Sequence, residues 1–106
     1  MALTPAEVDA MIASYLGRVR RRVRVAAAYL YGSYANGEAT DDSDIDVAVI
    51  SPDFGKHRYR EMVLLSEACV PDALFVEGTP FSLDDYSDPP RGSLIREVVR
   101  TGRRVA

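Results

Sequence analysis

The segment YGSYANGEATDDSDIDVAV, residues 31–49, combines a Gly-Ser pair with four closely spaced aspartates. It overlaps the apolar run VRVAAAYLY, residues 23–31, and leads into the apolar run IDVAVI, residues 45–50. Both runs are rich in β-forming residues; the first is followed by the Gly-Ser pair and the second by Ser-Pro at Pro52, which predicts two strands. A dense set of polar groups therefore joins two predicted strands of a small sheet.

Asp44 and Asp46 are the two aspartates best placed to act together. Side chains alternate across a strand, so residues at i and i+2 project from the same face about 6–7 Å apart. Two carboxylates about 4 Å apart repel by about 4 kcal/mol at an effective dielectric constant of about 20, so such a pair takes up a proton or holds a cation. Oxygen ligands from so few residues suit Mg²⁺, which retains water and borrows further oxygens from a substrate phosphate.

Gly32 and Ser33 are the predicted phosphate-binding counterpart of this acidic pair. Glycine permits close approach of the backbone, and Ser33 offers an N–H and a hydroxyl at the predicted start of a short helix through Asn36. If the two strands are antiparallel neighbours, the end of the first and the start of the second lie at the same edge of the sheet. The Gly-Ser turn and the aspartates are therefore expected to meet.

The rest of the chain predicts helices and further strands around this pair. Thr4 and Glu7 form a capping-box pattern ahead of an apolar stripe with helical spacing, which predicts a first helix. The other predicted elements are a crossover helix within residues 56–69, a strand over residues 72–76, a loop with one helical turn over residues 77–93, a last helix from Leu94 to Gly102 and a short edge strand in the final four residues.

Asp72 is predicted as a third carboxylate. A helix joins the second and third strands, which is the connection that a parallel pair requires, so the start of the third strand should lie beside Asp44 and Asp46. A competing interpretation is that Asp72, which follows a proline, only caps a turn. The predicted fold class is α/β, with residues 1–106 as a single domain in which a small mixed sheet with flanking helices opens a cleft at one edge.

The composition excludes several classes of protein. Thirteen Lys and Arg residues against sixteen Asp and Glu residues give a net charge of −3, so no global field attracts nucleic acid or an anionic membrane. The longest apolar run, Val25 to Tyr31, is too short to span a bilayer, and a cytoplasmic protein is expected. Cys69 is the only cysteine of the sequence, so it cannot form an intramolecular disulfide and is expected to be a buried thiol.

Two charged patterns have competing interpretations. Three of the aspartates occupy the first, third and fifth positions of an EF-hand loop, but Val47 stands where that loop needs glycine, which excludes a calcium loop. Five arginines within residues 18–24 could attract a nucleotide, an RNA or an acidic partner. Cations are also favoured at the C-terminus of a helix, and the interpretation as a solvated helix end is preferred.

Tyr31-Gly32-Ser33, ten intervening residues and Asp44-Ile45-Asp46-Val47 together resemble the signature of the polymerase-β-like nucleotidyltransferase superfamily. Within it, the string GSYANGEATDDSDIDVAV is similar to the minimal nucleotidyltransferases of the MNT type, and the likeness extends from the first helix to Gly102. The resemblance implies transfer of a nucleoside monophosphate, usually AMP from ATP, to an acceptor hydroxyl with release of pyrophosphate.

The resemblance also implies roles for individual residues. Gly32 and Ser33 would hold the triphosphate. Asp44, Asp46 and Asp72 would be the catalytic carboxylates and the ligands of Mg²⁺, with Asp72 also helping to deprotonate the acceptor. Two metal ions on such carboxylates clamp the attacking and the leaving oxygen of an in-line displacement, which agrees with this assignment.

The resemblance further implies a partner, because minimal members are typically paired with a HEPN-domain protein as toxin and antitoxin. They silence the partner by adding AMP to a tyrosine or by binding it. Asn36 stands where related sequences often carry Arg, which weakens the expected hold on the triphosphate. A non-catalytic antitoxin or binding module that neutralises its partner by contact is therefore the alternative. Nucleic acid is not an expected partner, and a homodimer could supply an acceptor pocket for a small molecule.

Overall fold

The computed structural model describes residues 2–69 and 75–106, which form a four-stranded mixed sheet with helices on both faces. The elements in chain order are α1 (Pro5–Val19), β1 (Ala27–Tyr31), α2 (Ser33–Asn36), β2 (Ile45–Ser51), α3 (Arg58–Glu67), β3 (Val76–Ser82), α4 (Leu83–Ser87), α5 (Leu94–Thr101) and β4 (Arg103–Arg104). The strand order across the sheet is β3-β2-β1-β4. The predicted α/β class is confirmed.

Helix α1 forms where the capping box predicts it and covers one face of the sheet. The Thr4 N–H donates to Glu7 Oε1 at 2.8 Å, and the Glu7 N–H donates to Thr4 Oγ1 at 3.2 Å. Two backbone donors at the helix start are thereby satisfied. The apolar stripe of α1 is buried against the sheet and consists of Val8, Ile12, Tyr15, Leu16 and Val19. None of the helices in the described part of the chain is both long and apolar enough to cross a bilayer.

Strand β1 starts at Ala27, later than the predicted start at residue 23. The chain after α1 continues in turns, because the N–H groups of Arg22 and Val23 both donate to the Val19 carbonyl at 3.0 Å. Backbone groups that are bonded to the helix end cannot also join a sheet ladder. The predicted strand is therefore correct in position but too long at its start.

The order of strand directions is the predicted one. β1 and β2 are antiparallel, and β2 and β3 are parallel with α3 in the connection between them. The buried residues of β1 and β2 alternate between two cores. Residues such as Leu30 and Val47 contact α1 and α3, whereas Tyr29 and Ala48 lie on the opposite face with Ile95 of α5.

The third strand is the part of the fold that the sequence analysis placed wrongly. Of the strand predicted over residues 72–76, residues 72–74 lie outside the described part of the chain. β3 begins at Val76 and continues to Ser82, through residues for which the sequence predicts a loop. The predicted helical turn after it is confirmed as α4, and the last helix and the short edge strand β4, which pairs with β1, are confirmed as well.

Two of the arginines that follow α1 form ion pairs with acidic residues elsewhere in the chain. Arg22 Nη1 lies 2.7 Å from Glu67 Oε1, and Arg24 Nη2 lies 2.6 Å from Asp53 Oδ1. The hydrogen bonds from Arg24 lower the pKa of Asp53 to about 2. The Arg24–Asp53 pair lies at the start of β1 and the end of β2, the end of the sheet remote from the aspartates of residues 41–46.

Glu61 of α3 is a buried carboxylate that holds the loop between β2 and α3. Its side chain is 8% exposed and accepts the backbone N–H groups of Gly55, Lys56 and His57 at 3.0–3.1 Å. Burial disfavours the charged form, but the three N–H donors outweigh it and hold the pKa of Glu61 below its usual value of 4.5. This loop sets the entry into the crossover helix and hence the placement of β3.

We expect Glu61→Gln to lower the free energy of unfolding by about 1–3 kcal/mol, the scale for hydrogen bonds to a buried charge. Because the pKa of Glu61 is lower in the folded than in the unfolded protein, its contribution is complete above pH 4.5 and is lost as the pH falls through the folded value. The difference between wild type and Glu61→Gln in urea denaturation should therefore shrink on acidification below about pH 4.5.

Glu67→Gln is the matched control, because Glu67 lies on the same helix and its one ion pair among the described residues is the exposed pair with Arg22. This change should alter the free energy of unfolding by less than about 1 kcal/mol. Equal effects of the two substitutions, or a Glu61→Gln effect that does not depend on pH, would contradict the role given to Glu61.

Candidate active site

A strained turn at Gly32 connects β1 to α2 at the mouth of the site. Gly32 has φ 76° and ψ −153°, a conformation that residues with a side chain rarely adopt. A Cβ at this position would also collide with Asp46 Oδ2. The N–H groups of Ala35 and Asn36 donate to the Gly32 carbonyl and so start the short helix that the sequence predicts. Only glycine allows the turn to pass so close to the Asp46 carboxylate.

Tyr31, Asp46 and Glu77 form a row across the sheet. Tyr31 is the β1 partner of Asp46 in the antiparallel ladder, and Glu77 is the β3 partner of Asp46 in the parallel ladder. Directly paired residues point to the same face, and adjacent strands lie about 5 Å apart. Three side chains from three strands therefore lie side by side on the face opposite α1 and α3.

The proximity of these groups changes their pKa values. Partial burial, followed by the charges of Glu77 and Asp44, raises the pKa of Asp46 above its ordinary value. Burial also raises the pKa of Tyr31, and the negative charges of Asp46 and Glu77 raise it further. The repulsion among the carboxylates favours any cation that is placed between them.

Tyr31 extends this row toward the interior of the same face. Its hydroxyl oxygen lies 2.9 Å from Thr79 Oγ1, so the ring crosses β2 and reaches the next position of β3 on this face. Ala48, the β2 partner of Thr79, carries only a methyl group and leaves space for that crossing. The ring forms a floor behind the carboxylates.

The predicted site residues are placed as follows. Gly32, Ser33 and Asp46 meet at one edge of the sheet, and Asp44 is exposed in the residues directly before β2. Asp72 lies outside the described residues, so its role stays a prediction. Asn36 is exposed at the end of α2.

Glu77 is the site residue that the sequence analysis missed. It is the only acidic residue between residues 73 and 83. The parallel pairing of the second and third strands, which the sequence does predict, requires a residue of the third strand opposite Asp46. A search for the acidic residue of that segment would have identified Glu77.

The side chains present have the chemistry of a magnesium site. Asp44, Asp46 and Glu77 supply carboxylate oxygens, the ligands that Mg²⁺ prefers. In the described part of the chain, no three His, Cys, Asp or Glu side chains come together as a group that could hold a metal ion, so these residues themselves offer two carboxylates at most. An ion bound here would therefore take its remaining ligands from water and from phosphate oxygens. Gly32 keeps the space beside Asp46 free, and the Ser33 hydroxyl makes no hydrogen bond to the other described residues.

Comparison with curated proteins finds a relative that resembles part of this chain. The protein adenylyltransferase MntA of Thermococcus cleftensis is 36% identical over 47 residues, which is 44% of this chain and 48% of that protein. The chain thus aligns with about half the length of this relative.

Comparison with solved structures gives the same fold. A Sulfolobus solfataricus protein described as a nucleotidyltransferase superimposes with a TM-score of 0.58 at 17% identity, over 82% of this chain and 83% of that one. A toxin–antitoxin structure with AMP-PNP gives a TM-score of 0.57 at 23% identity, over 92% of this chain and 72% of that one.

The family model of the nucleotidyltransferase domain matches residues 12–86, a span that includes α2, β2 and β3 and with them the turn and the carboxylate row. This match confirms the family that the Gly-Ser and Asp-Ile-Asp motif indicates. The chain belongs to the nucleotidyltransferase domain family of the polymerase-β-like superfamily.

Proposed function

We propose that this protein transfers AMP from ATP to a hydroxyl group of a protein in a Mg²⁺-dependent reaction. The observation that carries the proposal is the row formed by Asp46 and Glu77 beside the strained turn at Gly32. The choice of AMP and of a protein acceptor is supported by the likeness to a protein adenylyltransferase. We further propose that the acceptor is a tyrosine of a HEPN-type toxin, for which this chain acts as the antitoxin.

The turn would bind the triphosphate. Without a side chain at Gly32, the β- and γ-phosphates can approach the backbone, and the Ser33 hydroxyl is available to donate to a phosphate oxygen. Asp46, with Asp44 or Glu77 beside it, would hold Mg²⁺, which when bound neutralises negative charge on the triphosphate. The substrate therefore completes a site that the protein alone leaves open.

The reaction is an in-line displacement at the α-phosphorus. A bond forms between the acceptor oxygen and this phosphorus while the bond to the β-phosphate bridging oxygen breaks and pyrophosphate leaves. The proton of the acceptor hydroxyl passes to the Glu77 carboxylate, which lies on the side of Asp46 away from the turn. Glu77 thus takes the position that a third carboxylate requires, whereas Asp72 remains untested in that role.

We expect Mg²⁺ and ATP together to stabilise the wild-type protein, by about 2.7 kcal/mol when ATP is present at one hundred times its Kd. Asp46→Asn should abolish the Mg²⁺-dependent part of this stabilisation because it removes a carboxylate from the centre of the row. Label transfer from α-labelled ATP to a co-expressed HEPN-type partner should fall on the order of 100-fold or more in the same variant. Asp84→Asn, which alters an exposed acidic residue of α4, is the control.

Two outcomes would contradict the proposal. If neither wild type nor Asp46→Asn is stabilised by Mg²⁺ and ATP, the nucleotide-binding role fails, and neutralisation of a partner by contact alone is favoured. If both bind ATP and label the partner equally well, Asp46 has no role in transfer.

We expect Gly32→Ala to abolish label transfer and to lower stability by about 1–3 kcal/mol, because the side chain collides with Asp46 and opposes the strained backbone. Gly37→Ala is the matched control. Gly37 also has a positive φ, of 75°, but a Cβ there would meet no atom within 4 Å. The Gly37→Ala variant should therefore lose stability but retain transfer activity. Retained activity in Gly32→Ala, measured at a temperature where the variant is folded, would contradict the role of the turn.

A further inference from the structure

A groove of about 380 Å³ between α3 and β3 opens at the carboxylates. Asp44 and Glu77 line the groove together with Gly78 of β3 and with Met62, Ser66 and Cys69 on the side of α3. Met62 is 46% exposed although it is a large apolar side chain. The groove is therefore accessible, and its lining combines apolar and uncharged residues with two carboxylates.

The in-line geometry of the proposed reaction assigns the Glu77 side of the row to the acceptor. The turn at Gly32 and Ser33 follows β1, and Glu77 lies on β3, with Asp46 of β2 between them. The attacking and the leaving oxygen lie on opposite sides of the α-phosphorus in an in-line displacement. If pyrophosphate leaves on the side of the turn, the acceptor hydroxyl must enter on the side of Glu77, which lines the groove.

On the outer side of β3, the backbone of Gly78 has no partner among the described residues. Phe75 O accepts the Ile45 N–H at 2.7 Å, so alternation directs the backbone groups of residues 77 and 79 toward β2 and those of residues 76, 78 and 80 away from it. The Val76 carbonyl accepts from Cys69 Sγ, and the Pro80 carbonyl accepts from Arg58 while Pro80 has no N–H. Gly78 is left with an N–H and a carbonyl that are directed outward.

An extended peptide matches these features. A strand that pairs at Gly78 would continue the sheet beyond β3, and a side chain of that strand beside Glu77 would share the face of the row. Pro80 and Arg58 close the edge further along, so the pairing would be confined to a few residues next to the site. The hydroxyl-bearing side chain would thus be held beside the carboxylate that accepts its proton.

The charge of the groove selects the kind of acceptor. Its described lining contains two carboxylates and no Lys, Arg or His. A nucleic acid lying along the groove would bring phosphates to a lining with no cationic side chain among the described residues. An uncharged or basic segment that carries a hydroxyl side chain is compatible with both the apolar residues and the carboxylates of the lining.

We infer that the groove between α3 and β3 is the acceptor-binding site, and that it binds an extended, uncharged or basic protein segment paired with the edge of β3 at Gly78. This inference rests on the proposed function and adds to it the position, the conformation and the charge of the acceptor.

The test uses a short synthetic peptide with a central tyrosine between valines and a lysine at each end, and a short single-stranded RNA with a free 3′-hydroxyl. Met62→Arg places a bulky cation in the groove and should raise the KM for the peptide about tenfold or more. The KM for ATP and the stabilisation by Mg²⁺ and ATP should remain as in wild type. Val63→Arg is the matched control, since Val63 is 37% exposed on the same helix but does not line the groove.

A second measurement does not depend on transfer activity. Ser66→Cys introduces a thiol at an exposed position that lines the groove, and its alkylation can be followed by mass spectrometry apart from that of Cys69. The peptide should slow the alkylation of the new thiol, and the RNA should not.

Failure of the proposed function and failure of the acceptor site give different results. Absence of any stabilisation of wild type by Mg²⁺ and ATP contradicts the proposed function itself. If ATP binds normally, then labelling of the RNA in preference to the peptide, an unchanged peptide KM in Met62→Arg, or unprotected alkylation of Ser66→Cys overturns the acceptor site alone.

Discussion

The register of β2 against its two neighbours is the constraint on which the site depends. Asp46 lies between Ile45 and Val47, both of which are 0% exposed and packed against the helices. A slip of one residue would turn these two side chains toward the site and bury the Asp46 carboxylate in the core. A buried carboxylate without partners is so unfavourable that it would take up a proton. The apolar pattern that stabilises the sheet therefore also directs the carboxylate to the opposite face.

The same constraint explains why small residues surround the site. Gly32 leaves space beside Asp46, and Ala48 leaves the path along which Tyr31 reaches Thr79. On the face covered by α1 and α3, a Cβ at Gly78 would collide with the Tyr15 hydroxyl, which donates to the Leu65 carbonyl at 2.9 Å. The glycines at positions 32 and 78 thus permit close approach on opposite faces of the sheet, one for the site and one for the core.

The sequence predicts the turn at Gly32 and the pairing of β1 with β2 well, but it predicts β3 and its Glu77 poorly. The turn at Gly32 and the pairing of β1 with β2 are contained in one continuous segment, so spacing and alternation are sufficient to predict them. β3 contains Gly78 and Pro80, which are both unfavourable in strands, and local propensity therefore indicates a loop. The structure accommodates both residues through tertiary context, because Gly78 packs against Tyr15 and the nitrogen of Pro80 is directed away from β2. A short window of sequence does not reveal these tertiary contacts. The sequence therefore indicates neither β3 nor the Glu77 that this strand carries.

The two halves of the site also differ in what holds them in place. The turn and Asp46 belong to neighbouring strands joined by a short connection, whereas Glu77 reaches Asp46 only after α3 has packed on the sheet. That packing depends on Leu65 in the core and on the Glu61 carboxylate at the start of the helix. Loosening of α3 would therefore displace Glu77 and the groove beside it while the hairpin of β1 and β2 kept the turn beside Asp46. The Glu77 side of the site is therefore lost before the turn, because it depends on a parallel pair and its crossover helix whereas the turn depends on an antiparallel pair.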